Sequence, residues 1–111
     1  MIELIVKDFL DEHLTVSSFF EHSSQEPKRF VMIERTGGNL QNALKMATFT
    51  FQSYAESLYE SATLNEQLKA VILEMITLDN ISKVKLIGDY NFTDTETKRY
   101  RYQAVFDIYY Y

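Results

Sequence analysis

The sequence predicts an α+β domain: a mainly antiparallel β-sheet with an N-terminal helix, one long helix packed across it and a C-terminal β-hairpin. Three observations predict it. Residues 29–35 and 45–54, and again 83–92 and 99–110, alternate in the way of half-buried strands and are rich in β-branched and aromatic side chains. Between these pairs the period changes, and Leu58, Ala62, Leu68, Val71, Ile72 and Met75 recur at helical spacing. The breaks carry turn chemistry, Gly37-Gly38 in the first pair and the polar run 93–98 in the second.

Taken in order, Ile2, Ile5, Val6, Phe9 and Leu10 form one stripe with Glu3, Lys7, Asp8, Asp11 and Glu12 opposite, so residues 2–13 are an amphipathic helix. Residues 14–20, short and rich in apolar and hydroxyl groups, predict a strand, and residues 22–27 a polar connection. Pro27, the only proline, fixes φ and disfavours helix at Glu26, so it leads into the next strand. In that strand Phe30, Met32 and Glu34 face one way and Val31, Ile33 and Arg35 the other; apolar residues on both faces predict a central position. Gly37 and Gly38 are expected to end it as a structural turn, with irregular chain over 39–44. Ala47, Phe49, Phe51 and Ser53 then share one face of the following strand. The helical stripe places the long helix over residues 56–78, ended by Asp79-Asn80. In the hairpin, a turn symmetric about Thr95 sets Asp89 against Arg101 and Lys83 against Asp107, at ~0.2–1 kcal/mol per pair, and charge matching selects that register.

At 111 residues the chain is expected to be a single domain over 1–111, with one core. The net charge of −5 argues against sequence-independent nucleic-acid binding, which needs dense Lys and Arg to displace counterions. Without cysteine there is no disulfide, no thiolate chemistry and no Cys-based zinc site, which suits a reducing cytoplasm. Glu3, Lys7 and Asp8 interrupt the apolar N-terminus, so neither a signal peptide nor a membrane helix is expected.

No pattern of catalytic or ligand-binding residues emerges. His13 and His22 lack the spacing of a metal pair, Asp94 and Glu96 lack the rest of a calcium loop, and Gly37-Gly38 is not followed by the Lys-Ser/Thr of a phosphate loop. No metal, cofactor or enzymatic activity is expected. Lys83, Lys85, Arg99 and Arg101 are expected to project from one face of the hairpin, with the hairpin tyrosines on the other. The terminal Tyr109, Tyr110 and Tyr111 are costly if bare to solvent. With eight Tyr and eight Phe, the aromatic supply exceeds what one long helix covers, so homo-oligomerisation is expected, with these basic residues and tyrosines as interface candidates.

The order of pieces resembles the tail-terminator family of long-tailed bacteriophages, the head–tail joining or minor tail components. The likeness rests on Pro-Lys-Arg-Phe-Val at 27–31, on Arg35-Thr36-Gly37-Gly38 ending the strand, and on Tyr54-Ala55 leading into the long helix. It departs after Gly38, where a basic run is common in that family and residues 39–44 hold no Arg. The resemblance implies an α+β subunit that forms a hexameric ring, caps the tail tube and presents a surface to the head. Its partners would be itself, the tail-tube protein and a head-completion or connector protein. Its place would be the virion, after assembly in the bacterial cytoplasm. An acidic balance would then suit a channel through which DNA slides, with no specific nucleic-acid or membrane partner. Two other readings remain: another neck or tail component, such as a tube or adaptor protein, and a small nucleic-acid-binding module using the hairpin's basic face.

Overall fold

The computed structural model describes residues 1–41 and 44–111. Helix α1, Ile2–His13, buries Ile2, Val6, Phe9 and Leu10 at three- and four-residue intervals, the face its sequence predicts. It ends where Leu14 turns extended and returns its N–H to the Leu10 carbonyl. Strand β1, Ser17–Phe19, is shorter than the predicted 14–20 and pairs in parallel with Phe30, Val31 and Met32 alone. Strands β2, Phe30–Gln41, and β3, Leu44–Ala55, form an antiparallel hairpin.

The expected stop at Gly37-Gly38 is corrected here, as is the irregular chain expected over 39–44. β2 runs through both glycines to Gln41, β3 begins at Leu44, and neither glycine has positive φ. The remainder of that expectation, residues 42 and 43, lies outside the described residues. What the glycines accompany is a bulge: Arg35 faces Phe49 and Gly37 faces Thr48, leaving Thr36 as the extra residue. A Cβ on Gly38 would lie 2.7 Å from the Met46 carbonyl oxygen and 2.6 Å from an Arg35 guanidinium nitrogen, so a close approach requires glycine there.

Helix α2, Leu58–Leu73, starts at Ser57, whose hydroxyl accepts the Glu60 N–H at 3.1 Å. A 3₁₀ turn, Glu74–Thr77, continues it. The buried line is Ser61, Leu64, Asn65, Leu68, Ile72 and Met75. This corrects the predicted stripe: Leu58 stands exposed at the first turn, and two polar residues, Ser61 and Asn65, take inward positions. Strands β4, Ile81–Asn91, and β5, Tyr100–Tyr110, close the chain as an antiparallel hairpin.

The sheet order is β1-β2-β3-β5-β4, with β5 between β3 and β4. Both helices lie on one face. There Val31, Ile33, Ala47, Phe49, Phe51, Ala104, Phe106 and Ile108 meet Val6, Leu10, Leu68, Ile72 and Met75. Burial of each large apolar side chain stabilises the fold by roughly 1.5–3 kcal/mol. The opposite face carries a second, smaller cluster of Phe30, Met32 and Tyr54 with Phe19 against it.

The hairpin register differs from the one selected by charge. Val84 faces Ile108, Lys85 faces Asp107 and Leu86 faces Phe106. A shift between Leu86 and Gly88 then inserts Ile87, so Asp89 faces Ala104 and Tyr90 faces Gln103. Asp89 is thereby turned to the helix side, where Asn65 donates to it at 2.7 Å and Lys69 pairs with it. This helix-side pairing replaces the expected Asp89–Arg101 pair.

Candidate functional site

The face without helices and the edge of β4 carry the residues singled out in the sequence. Strand alternation sends Phe30, Met32, Glu34, Thr48, Thr50, Gln52 and Tyr54 to that open face, with Arg101, Gln103, Asp107 and Tyr109 of β5 beside them. Lys83 and Lys85 join them from β4 by pairing with Tyr109 and Asp107.

All four basic residues therefore share a face, in two separate groups. Arg99 and Arg101 lie at the Tyr54 end; Lys85 and Lys83 lie level with positions six and eight residues beyond Arg101 on β5, about 20–27 Å away at strand rise. At the first end Phe30 and Tyr54 stack with centroids 4.6 Å apart and planes 5° from parallel. His22 meets Tyr54 edge-on at 5.5 Å. Arg99 lies over the Tyr54 ring at 4.8 Å, and Arg101 over Phe92 at 4.5 Å. Arg101 also donates to the Tyr54 hydroxyl at 2.8 Å and to the Phe92 carbonyl at 2.6 Å.

Glu26 fastens this end. Its carboxylate, 9% exposed, accepts from Arg99 at 2.7 Å and pairs with His22 at 2.6 Å. Burial raises its pKa, but Arg99, His22 and the Ser23 N–H outweigh burial and hold it below the ordinary carboxylate value. From Tyr54 a polar ribbon crosses the sheet through Gln52, Gln103 and the Tyr90 hydroxyl. The expectation that the hairpin tyrosines point away from the basic residues holds for Tyr100, Tyr102 and Tyr110, which share the helix face with Ala104, Phe106 and Ile108, and is corrected for Tyr90, which lies on the face of all four with Tyr109 and Tyr54. The inserted Ile87 moves Tyr90 there. His22, half exposed, pairs with Glu26 and reaches the Tyr54 hydroxyl.

At the other end Lys83 lies 5.5 Å from the Tyr109 ring, and Lys45 lies 5.7 Å from that of Tyr110. Tyr110 packs against the helix-side core, Tyr109 is half-buried on the open face, and Tyr111 is exposed. β4 pairs on one side only, and Leu86 and Ile87 are exposed along it. Leu73 and Ile76 are exposed too, and they continue the three- and four-residue spacing of Asn65 and Lys69, so they flank β4 from the helix layer.

Other features have local explanations. Glu56 is lowered to about 2 by its ion pair with Arg29, and Asp94 is lowered by accepting from Thr97 and the Glu96 N–H. A depression of about 360 Å³ lies beside α1 and β1, where Lys7 bonds Asp11 and Ser18. Among the described residues no three His, Asp or Glu side chains converge as metal ligands, and no helix is long and apolar enough to cross a membrane. In comparison with known proteins, no family model and no curated protein sequence matches this chain.

Sequence reasoning missed Glu26, His22, Phe30, Tyr54 and Phe92 as one cluster. Glu26 and Arg99 are 73 residues apart, and no local pattern signals their pairing. Gly88 is a usable signal, because a glycine inside an alternating strand marks a bulge.

Proposed function

We propose that this chain is a structural subunit of a long-tailed bacteriophage, a tail terminator. Copies form a ring, hexameric by the family resemblance, that caps the tail tube and joins it to the head. It acts by association and catalyses no reaction. The observation that carries this reading is the apolar surface left bare along one edge: Leu73, Ile76, Leu86 and Ile87 are all exposed beside a strand with one free side. A row of large apolar side chains of this kind marks a protein contact. The order of elements, helix, short strand, two strands, long helix and hairpin, is also the order on which the family resemblance rests.

Native mass spectrometry and light scattering at rising concentration test the reading, together with a pull-down of tail-tube and head-completion proteins. A closed oligomer that binds the end of the tube is expected. A strictly monomeric protein without affinity for tube subunits would count decisively against it. Open-ended tubes from this protein alone would move it to the tube-protein class.

A further inference from the structure

We propose that the ring is stitched by main-chain pairing between copies, the β4 edge of one subunit adding to the uncovered half of β2 in the next. The inference rests on the reading above and adds to it the contact itself. Three observations lead to it.

The first is that the sheet has two bare edges at one height. β1 covers Phe30, Val31 and Met32, so on the side away from β3 the chain of β2 from residue 33 onward has no strand beside it among the described residues. Following the pairing across the sheet, Gly37 lies level with Thr48, Asp107 and Lys85. Asn39 likewise lies level with Met46, Tyr109 and Lys83. The straight part of β4, residues 83–86, therefore stands level with the bare part of β2. A neighbour could add without rising along the strand axis, as a closed ring requires.

The second observation is direction. β2 and β3, β3 and β5, and β5 and β4 are all antiparallel, so β2 and β4 run opposite ways. A neighbour joined edge to edge, with its helices on the same side, makes an antiparallel ladder, the more stable kind. The obstacles match as well. β1 occupies β2 at Met32, the level of Gln52, Gln103 and Tyr90, and β4 leaves its straight course at the bulge just before Tyr90.

The third is side-chain chemistry. β4 offers Lys83 and Lys85 on the open face, and bare β2 offers Glu34 on that face, followed by Gly37. At equal height Lys85 meets Gly37, with Glu34 one diagonal away, about 7–8 Å and within reach of a lysine. Lysines on an edge strand can instead guard against association, and the charge variants below distinguish the two roles.

The chain has no cysteine, so introduced ones report alone. In Asn39→Cys/Lys83→Cys, the two positions of one chain lie three strands apart, about 14 Å, too far for a disulfide. Mild oxidation should therefore give a ladder of cross-linked chains on a denaturing gel, and neither single variant should give more than background. A ladder absent from an otherwise oligomeric double variant overturns the edge pairing while leaving ring assembly intact. Dimers from Lys83→Cys alone would mean that β4 pairs with its own copy and overturn it equally. Lys85→Glu should weaken association roughly tenfold, and adding Glu34→Lys should restore it. If Lys85→Thr strengthens association, the lysine guards the edge and the proposal fails. A wild-type protein that stays monomeric throughout overturns the functional reading itself.

Discussion

Asp89→Ala separates the structure's hairpin register from the one that charge matching selects. In the structure Asp89 accepts from Asn65, which is 1% exposed, and from Lys69. The Asn65 side-chain oxygen already has no hydrogen-bond partner among the described residues. Truncating Asp89 strands the amide nitrogen too, at about 1–3 kcal/mol for a buried donor left unsatisfied. The Lys69 pair, with Asp89 30% exposed, adds about 0.2–1 kcal/mol. A loss of about 1.2–4 kcal/mol is expected, or 5–16 °C in Tm at about 4 °C per kcal/mol for a chain of this size.

Urea and thermal unfolding of a double-mutant cycle check it. With Asn65→Leu already made, Asp89→Ala should cost no more than about 1 kcal/mol, because the stranded amide is gone. Arg101 lies on the other face of the sheet and should show no coupling to Asp89. Coupling to Arg101 with none to Asn65 would refute the bulge and the register together.

The remaining predictions concern backbone, acid stability and the second core. Gly38→Ala forces a Cβ against the Met46 carbonyl and should cost about 1–3 kcal/mol. Gly37→Ala, whose Cβ meets only Thr48 at 3.9 Å, should be near neutral; equal losses in a denaturation series would overturn the assignment of the close approach to Gly38. Glu26 has its folded pKa below its unfolded value, so its contribution is present above about pH 4.3 and is lost as pH falls through the folded value. Glu26→Gln should remove that share of acid destabilisation. Glu56→Gln should change the acid profile less although Glu56 is lowered to about 2, because that carboxylate is 40% exposed and its pair is screened. Phe30→Ala removes a ring that is 2% exposed and stacked on Tyr54, and should cost about 3–5 kcal/mol by chemical denaturation. A cost below 1 kcal/mol would mean that the second cluster is not packed as described.

Alternation and helical spacing carried the sequence reading a long way. The faces of β2 and β3, the bounds of α1 and the presence of the C-terminal hairpin follow from side-chain period. The misses cluster at single inserted residues. Thr36 and Ile87 each add one residue to a strand, and one residue is enough to exchange the two faces beyond it. Charge matching chose the wrong hairpin register because it weighed only exposed cross-strand pairs. Asp89 gains more from a buried amide and a lysine on α2, partners that are invisible until the helix is laid on the sheet. Glycine was read as a stop when its role was to permit an irregular ladder. All three glycines of the chain sit beside two of the three register shifts among the described residues.

The open face is finished at one end and bare at the other, which bears on where partners can act. Beside Tyr54, Glu26 and Arg99 fasten the loop after β1 to the tip of the β4–β5 hairpin, and both close over a buried aromatic pair. Arg99 gives one of its five donors to Glu26, Arg101 gives two to the Tyr54 hydroxyl and the Phe92 carbonyl, and both lie over aromatic rings. The Glu26 carboxylate offsets the charge that Arg99 would present to a phosphate, while the bulge brings one tyrosine, Tyr90, to the same face. At the far end Lys83 and Lys85 are exposed, the strand that bears them has a free side, and the bare half of β2 stands at the same height. Of the sequence's interface candidates, the lysines and Tyr109 therefore lie where a second copy can reach them. Arg99 and Arg101 hold contacts within the fold.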